Sequence, residues 1–368
     1  MVKRGNGFES SSPCLRNALV LGSRKIKNGQ QLTLNCLIIN NMIRIPYFFG
    51  VLAFLMALRH YYTSWDLFLF RRLDVQKLII TVALTGNVPT REMNANLPVT
   101  PEDIAKDVNR CANAGAGLFH VHARDLLQKP TLSPSVFMDI VQHIKAVSPN
   151  VIVQLSTGGR AGKNWEDRAD PIKLLPEMGS FTTGSTNLPG MIYENSPQFI
   201  EFLATVYHRT QVKPEIEIFE AGMISNALFL QKKGLLTPPL HFNFVLGAPG
   251  AMSGSARNLV FLVDSIPHGS TWTATGIGKT EIPLAAMAIA MGGHVRVGLE
   301  DNLFMPDGEM ASNAGLVEKV AAIAREIGRE IASPDEARAI LSLNPAWKNR
   351  IIDLRENLNT SHASATSP

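Results

Sequence analysis

Two histidines stand one residue apart in the segment GLFHVHARD, at the end of an apolar run. Side chains two positions apart in a β-strand point to the same face and lie about 7 Å apart along the backbone. The imidazoles of His120 and His122 can therefore reach a single metal ion. The alternative is a pair of core histidines that bond to backbone groups. A carboxylate from another strand would favour the metal site, because it would supply a third ligand of opposite charge to the ion.

Glu300 is the carboxylate that the sequence offers for this role. It ends the segment HVRVGLE and shares one strand face with Arg296 and His294. Two histidines and one carboxylate are typical of a catalytic zinc site with an open position, and iron(II) accepts the same ligands. We predict zinc bound by His120, His122 and Glu300. His294 lies about 20 Å back along an extended strand, so we predict that it is not a ligand.

Arg296 and Asp301 lie on either side of this glutamate in the sequence. An arginine in the wall of a folded domain needs a carboxylate partner, and an aspartate paired with an arginine stays ionised and oriented. Such an aspartate suits a general base beside a metal site. The alternative is an ion pair with a structural role only.

Two further segments combine hydroxyl side chains with glycines: STGGRAG at residues 156–162 and TTGSTN at residues 182–187. Their hydroxyls and open backbone N–H groups suit the oxygens of a carboxylate or a phosphate. The alternative is that both are ordinary turns between a strand and a helix. Glu220 ends another strand-like run, where it would hold a substrate hydroxyl or pair with a basic neighbour.

Eight strand-like runs place these residues, and helix-like runs alternate with them. The predicted strands span residues 78–84, 117–123, 151–157, 180–184, 215–220, 241–247, 271–278 and 294–300. Eight strands with alternating helices predict a (β/α)8 TIM barrel, in which reactive side chains lie at the carboxyl ends of the strands. The rival fold is an open doubly wound sheet. That fold favours a glycine-rich phosphate turn after the first strand, and TGNVPTRE is not one.

Helix signals lie between the predicted strands. The segment TPEDIAKDVNRCANAG has Thr100 as an N-cap, Asp103 at the capping-box position and Gly115 as a stop signal. Ser133 and Ser196, each followed by proline, repeat this opening. The regular spacing of these signals supports one large catalytic domain over residues 77–344, followed by a polar C-terminal tail at residues 345–368.

The N-terminal segment, residues 1–76, differs from the rest of the chain. Residues 1–77 hold 11 Lys and Arg against 3 Asp and Glu, and the remaining residues hold 24 against 28. The basic charge is thus confined to one end, and we predict no nucleic-acid partner. Residues 45–58 are apolar and uncharged, but a membrane span needs about 20 residues. We interpret the segment as a poorly structured, non-native or disordered extension; the alternative is an interfacial anchor.

Three cysteines occur in the chain, and they form neither a paired framework nor a CxxC motif. They are Cys14, Cys36 and Cys111. This usage is typical of a reducing compartment, so we expect a cytoplasmic protein in which the thiols have no catalytic role.

The motifs LIITVALTGNVPTREMNANLPVTPEDIA, AGAGLFHVHARD, VQLSTGG, FEAGM, VLGAPGAM and VRVGLEDN resemble the beta-keto acid cleavage enzyme family, including 3-keto-5-aminohexanoate cleavage enzymes. The resemblance runs from about Lys77 to Asn344. It implies a (β/α)8 barrel, a zinc ion and a homo-oligomer, often a tetramer. It also implies a reaction of a beta-keto acid with acetyl-CoA that yields acetoacetate and the CoA ester of the remaining acyl group.

The resemblance also implies roles for individual residues. It assigns zinc to His120, His122 and Glu300, and the reactive aspartate with its partner to Asp301 and Arg296. The substrate-binding positions that it implies are Ser156, Gly158, Gly159, Thr183 and Glu220. One position departs from the family pattern: members that cleave an amino-bearing keto acid resemble one another in an acidic residue just after the first strand. Here Asn87 and Val88 stand in that place, so we predict a substrate without a cationic amine.

The activity implied by these residues is a Claisen and retro-Claisen exchange between a beta-keto acid and acetyl-CoA. We expect the CoA to lie over the glycine-bearing loop at residues 245–258, with Arg257 near its phosphates. One alternative is a zinc-dependent hydrolase or aldolase on the same barrel, which would need no CoA. A second alternative is a membrane-tethered binding protein that uses the N-terminal apolar run.

Overall fold

The computed structural model describes residues 76–160, 162 and 164–346. Within them eight parallel strands form a closed barrel. The strands are β1 (Ile80–Ala83), β2 (Leu118–Val121), β3 (Ile152–Leu155), β4 (Met178–Thr182), β5 (Lys213–Ile218), β6 (His241–Leu246), β7 (Thr271–Gly276) and β8 (His294–Val297). Each strand lies within or close to a predicted strand, so the predicted TIM barrel is confirmed.

One helix follows every barrel strand, which gives the right-handed β-α repeat of this fold. The helices are α1 (Pro101–Ala114), α2 (Pro134–Val147), α3 (Trp165–Lys173), α4 (Pro197–Thr210), α5 (Gly222–Lys232), α6 (Ala256–Ser265), α7 (Glu281–Met291) and α8 (Asn313–Ile327). A ninth helix, α9 (Pro334–Ile340), comes after the last β-α unit. Its Ala337 and the following Leu341 pack on Ile79, Leu118 and Ile152, which closes the amino-terminal end of the barrel.

The barrel closes where β1 pairs with both β2 and β8. This pairing places the two ends of the described barrel sequence side by side, with Thr81 opposite Arg296 and Ala83 opposite His120. Gly298 follows β8 with a φ of 147°, and a Cβ there would lie 2.1 Å from the carbonyl oxygen of Ala83. A glycine is therefore required at the point where the loop after β8 crosses β1.

The interior of this barrel is unusually polar. Many barrels of this class fill their interior with branched apolar side chains. Here alternate strand residues contribute buried polar groups that hydrogen-bond to one another across neighbouring strands. They include Gln154, Thr182, Glu215, Glu217, His241, Asn243, Thr275 and Arg296. The apolar core lies instead between the barrel and its surrounding helices.

The helix caps agree with the sequence at two of three places. Thr100 accepts a hydrogen bond from the backbone N–H of Asp103, the side chain of Asp103 accepts one from the backbone N–H of Thr100, and Gly115 ends α1 in the left-handed conformation. Ser196 caps α4 in the same way, by accepting from the N–H of Phe199. Ser133 precedes α2, but its hydroxyl pairs with that of Ser135 and makes no capping bond. The side chain at this N-cap thus turns to a neighbouring hydroxyl.

Replacing Thr100 with alanine is expected to destabilise the barrel by about 1 kcal/mol, because the first turn of α1 loses its capping bond. Urea unfolding measures the change. The control is Thr205→Ala in α4, where the hydroxyl donates only to the carbonyl of Glu201 in its own helix. That variant is expected to change the free energy of unfolding by less than about 0.5 kcal/mol. Equal losses in the two variants would contradict a capping role.

Several predictions concern residues outside the described part of the chain. The extension through residue 75, Cys14 and Cys36 within it, and the tail from residue 347 all lie there. Cys111 is described, and it is a buried free thiol. Burial raises the pKa of this thiol, so it stays protonated and unreactive. Among the described helices, we find none with the length and apolar character that crossing a bilayer requires.

Candidate active site

The predicted metal ligands meet at the carboxyl-end rim of the barrel. The Nε2 atoms of His120 and His122 are 3.1 Å apart. The carboxylate of Glu300 lies 3.2 Å from His122 Nε2 and 3.8 Å from His120 Nε2. One ligand atom from each residue falls within a group spanning 4.8 Å. Zinc bonds of about 2.0–2.1 Å place their ligand atoms at similar separations. We call these three residues the His-His-Glu triad.

Gln154 holds the first imidazole in the form that a metal needs. The Nδ1 atom of His120 donates to Oε1 of Gln154 on the neighbouring strand β3, at 2.5 Å. This bond leaves the lone pair on Nε2, which faces His122 and Glu300. Burial and the nearby charge of Arg296 lower the pKa of His120 to about 3. The ring is therefore neutral at neutral pH, which is the protonation state of a metal ligand.

Glu300 has the burial, charge and position of a metal ligand. Its Oε2 atom is buried and has no hydrogen-bond partner among the described residues. Burial opposes the charge, but His122 and Arg296 outweigh it and hold the pKa of Glu300 well below its usual range. Gly86 makes room for this side chain, since a Cβ at residue 86 would lie 2.6 Å from the Cγ of Glu300. An ionised, unsatisfied oxygen facing two imidazole nitrogens suits a divalent cation.

Arg296 contacts three carboxylates, one of which is that of Glu300 in the triad. Its guanidinium donates two hydrogen bonds to Asp301, at 2.8 and 3.0 Å, and lies 2.9 Å from Glu300 and 3.5 Å from Glu217. The carboxylates raise the pKa of Arg296 well above its usual range, so it stays charged. Glu300 and Asp301 alone outnumber the single positive charge of the guanidinium, and a divalent metal would balance the excess negative charge.

The pKa of Asp301 is set by influences that act in opposite directions. Burial raises its pKa, the attraction of Arg296 lowers it and the repulsion of Glu300 raises it further, with a result of about 6. A carboxylate with this pKa is ionised at neutral pH and is a stronger base than an exposed aspartate. The two hydrogen bonds between the side chains show the pairing of Arg296 with Asp301.

The loop that carries Glu300 and Asp301 is fixed by buried polar groups. Glu281 accepts hydrogen bonds from the N–H of Gly298 and the amide of Asn302, at 2.8 and 2.9 Å. Asn313 accepts from the N–H of Leu299 and donates to Asp107. These bonds hold the backbone on both sides of residues 300–301, so the two acids keep their orientation.

A cavity of about 300 Å³ opens above the triad. Ser156, Gly158 and Gly159 line one wall, and the Ser156 hydroxyl accepts a hydrogen bond from the N–H of Gly158 at 3.1 Å. Three of the five predicted substrate-binding residues thus come together beside the triad. The outer wall is apolar except for two side chains, and is lined by Asn87, Val88, Arg160, Leu188, Phe219, Val245 and Ile277.

Two predicted substrate-binding residues do not join this cavity. Thr183 is fully buried, and its hydroxyl donates to the carbonyl of Met223 at 2.9 Å. Glu220 lies in the turn before α5, where its carbonyl accepts from the N–H of Met223. The structure brings neither side chain into the cavity lining. A threonine directly after a strand can point outward as easily as inward, because successive side chains alternate.

Glu217 is the β5 acid that reaches the site, and the sequence reasoning missed it. It lines the cavity, accepts a hydrogen bond from Thr182 at 2.6 Å and lies near Arg296. Burial, partly offset by Arg296, raises its pKa to about 7. The signal was present in the alternation of EIEIFE, which puts Glu215 and Glu217 on one face. A prediction from the strand end, without regard to the strand face, selects Glu220 instead.

Arg124 and Asp125, which follow the two histidines in the sequence, hold loops in place. Arg124 donates to the carbonyls of Gly86 and Pro89, which pins the loop after β1. Asp125 accepts from the N–H groups of Leu127 and Lys129, which closes a short hairpin turn. The predicted exclusion of His294 agrees with its geometry. Its Nδ1 accepts from the N–H of Ile79 at 3.1 Å, at the far end of β8.

A closed β-α barrel with a His-His-Glu triad, an arginine-held aspartate and a glycine loop at one rim defines a (β/α)8 protein with a candidate metal-dependent active site. Residues 77–343 match the family model described as beta-keto acid cleavage enzyme. The chain belongs to this family. The predicted resemblance and the predicted class, an acyl-transferring enzyme, are confirmed.

Curated relatives cover the barrel almost completely. The 3-keto-5-aminohexanoate cleavage enzyme of Fusobacterium nucleatum is 46% identical over 271 residues, which are 73% of this chain and 99% of that protein. The 3-oxoadipate:acetyl-CoA acetyltransferase of Cupriavidus necator is 38% identical over 272 residues, 73% of this chain and 95% of that protein. The solved apo structure of ObcA is similar in fold, with a TM-score of 0.59, 23% identity and coverage of 67% and 66% of the two chains.

Proposed function

We propose that this enzyme cleaves a beta-keto acid by exchange with acetyl-CoA, to give acetoacetate and a new acyl-CoA. The names of the relatives support the reaction class, because they include a 3-oxoadipate:acetyl-CoA acetyltransferase and two 3-keto-5-aminohexanoate cleavage enzymes. The single observation that carries the proposal is spatial. The His-His-Glu triad, the Arg296–Asp301 pair and the glycine loop all line or border one cavity.

The triad would hold zinc. An ion there would supply a Lewis acid beside the keto group and lower the energy of the negative charge that forms on it. The neutral His120 ring, the unpartnered Oε2 of Glu300 and the surplus of carboxylates around Arg296 support this assignment. Gln154 and Gly86 support it as well, because they orient one ligand and make room for another.

The glycine loop would receive the carboxylate of the keto acid. The Ser156 hydroxyl would donate to this carboxylate, because its oxygen already accepts from the N–H of Gly158, and the backbone N–H of Gly159 would be a second donor on the same side of the cavity. Donors of this kind suit a carboxylate, and they would place C2 of the substrate between the triad and Asp301.

Asp301 would act as the general base. Arg296 holds it by two hydrogen bonds, so its free lone pairs are directed and its charge is kept. It would take the proton from C2, and the resulting carbanion would form a bond to the acetyl carbonyl as the CoA thiolate leaves. The thiolate would then attack the former 3-keto carbon. Cleavage of the C2–C3 bond gives acyl-CoA and the acetoacetate carbanion, which takes the proton back from Asp301.

The outer wall of the cavity favours a keto acid without a cationic amine. Val88 lines the cavity at the place where the resemblance implies an acidic residue, and it is 54% exposed. The three carboxylates of the lining, Glu217, Glu300 and Asp301, are all close to Arg296. None is left to neutralise an ammonium group at the outer end, where Arg160 adds a positive charge instead.

A panel of beta-keto acids incubated with acetyl-CoA tests this function through acetoacetate release. We expect neutral keto acids to be cleaved at least about tenfold more efficiently than their amino-bearing counterparts, because an uncompensated ammonium loses an ion pair. The matched variant Val88→Asp is expected to reduce that preference. Consumption of the keto acid in the absence of acetyl-CoA, with no release of acetoacetate, would instead support the hydrolase or aldolase alternative. Equal use of cationic substrates would contradict the substrate class.

A further inference from the structure

The site cavity is too small to enclose a whole CoA thioester together with the keto acid. Its volume of about 300 Å³ lies at the lower end of pockets that enclose a drug-sized ligand, roughly 300–1,000 Å³. The acetyl group must reach the triad, so the pantetheine arm that carries it must leave the cavity along a neighbouring surface.

A second cavity lies directly beside the first. It has a volume of about 600 Å³, and both cavities have Gly159 and Tyr193 in their walls. It is bounded by the start of α3, by the hairpin at residues 186–193 and by the start of α4. Its apolar wall is formed by Trp165, Met191, Ile192, Tyr193 and Phe199. Ile192 is 66% exposed and Trp165 is 38% exposed, so the wall leaves apolar surface open to solvent.

Arg168 gives this cavity a polar floor. Its guanidinium donates to the carbonyls of Thr157 and Glu194 and to the amide oxygen of Asn195, at 2.9, 2.9 and 2.6 Å. It also lies 3.9 Å from the ring centroid of Phe199. Within the part of the chain that the structure describes, no carboxylate lies within ion-pair distance of Arg168. A guanidinium has five N–H donors, more than these three bonds use, so a ligand that brings carbonyl oxygens would suit the remainder.

Arg168 also connects the two cavities. A Cβ at Gly159 would lie 3.2 Å from the Cζ of Arg168, so the guanidinium packs against the back of the glycine loop. Gly159 is thus a thin partition, with the site cavity on one side and the floor of the second cavity on the other. A chain that passes Gly159 would contact both.

The loop at residues 245–258 is a weaker candidate for the CoA arm than its glycines indicated. Gly250 packs on the carbonyl oxygen of Asn187, from which a Cβ would lie only 1.9 Å away. Gly247 and Gly254 pack on Thr280 in the same manner. These glycines allow close contact between segments of this chain, so they need no ligand to explain them. Arg257 is exposed and does not line either cavity.

We propose that the second cavity binds the pantetheine arm of acetyl-CoA, with the acetyl group entering the site cavity past Gly159 and Tyr193. The apolar wall would contact the arm's hydrocarbon portions, and Arg168 would donate to its amide carbonyls. This inference rests on the proposed function, because it assigns a place to the cosubstrate of that reaction.

The experiment compares two thioesters: acetyl-CoA, and S-acetyl-N-acetylcysteamine, which keeps the acetyl group but lacks most of the arm. Met191→Trp narrows the cavity, and Ile192→Asn removes an exposed apolar contact. Each is expected to raise the KM for acetyl-CoA by about tenfold and to leave the KM for the truncated thioester unchanged. The control is Arg257→Ala on the loop at residues 245–258, for which no change is expected.

Calorimetric titration of the full chain with free CoA gives a second readout that does not depend on turnover. The dissociation constant of CoA is expected to rise in Met191→Trp and Ile192→Asn and to stay constant in Arg257→Ala. A dissociation constant that rises only in Arg257→Ala would indicate that the arm binds at the loop, and it would overturn the proposal. Equal losses with both thioesters would overturn it as well. If the wild-type protein binds CoA but releases no acetoacetate, the proposed function is refuted. The titration of the variants would then still decide where the arm binds.

Discussion

Asp301→Asn is expected to abolish most turnover while the metal stays bound. The amide keeps one oxygen that accepts from Arg296, and the His-His-Glu triad is unchanged, so the barrel and the metal content should be preserved. The substituted side chain has no basic lone pair for the C2 proton. Loss of a positioned general base typically costs about 10²- to 10⁴-fold in rate, and we expect kcat to fall in this range.

Two measurements decide this prediction: kcat from acetoacetate release, and the zinc-to-protein ratio by elemental analysis. The control is Asp307→Asn, an exposed aspartate in the same loop region that accepts from the N–H of Glu309. It is expected to keep both quantities. Retained turnover in Asp301→Asn would remove Asp301 as the base. Loss of metal together with turnover would show that Asp301 acts on the triad and not on the substrate.

His122→Ala is expected to lose the metal and the activity together. One of the three proposed ligands disappears, and the carboxylate of Glu300 loses its nearest imidazole at 3.2 Å. Removing a residue that only orients a ligand costs about 10- to 100-fold in metal affinity, so loss of a ligand itself should exceed that range. Chelator competition measures the affinity, and the activity should follow the bound fraction.

His143→Ala is the matched control for this second prediction. His143 is a partly exposed histidine on α2 that lies near Asp139 and Glu102, and it takes no part in the triad. Its replacement should leave zinc affinity and activity at wild-type values. Full activity of His122→Ala without bound metal would rule out a metal-dependent reaction. Full metal content without activity would assign His122 to the substrate instead.

The elements of the fold could be predicted because their signals are local. Strand alternation and the capping motif at Thr100 depend on residues that are neighbours in the sequence. Eight repeats of strand and helix leave few other closed arrangements, so the barrel followed. Ser133 shows the limit of a local signal. Its hydroxyl had an alternative partner in Ser135, and a capping motif does not report such competition.

The predicted site residues show the same limit of local signals. His120 and His122 share a strand face, and Glu300 is separated from them by most of the barrel sequence. The carboxyl-end rule brought them together correctly, because all parallel strands end at one rim. Thr183 and Glu220 satisfied the same rule but lie outside the cavity lining. Position at a strand end does not fix the direction of a side chain.

The sequence by itself determined that two imidazoles share a face, that Glu300 and Asp301 follow the last strand, and that Asn87 and Val88 stand where the resemblance implies an acidic residue. Only the tertiary structure decided that Glu217 faces Arg296, that Gln154 orients His120, and that Arg168 supports the glycine loop from behind. The physical reason is the barrel's closure. Strand periodicity sets which face a residue occupies, whereas the register between neighbouring strands and the path of each loop set which side chains meet.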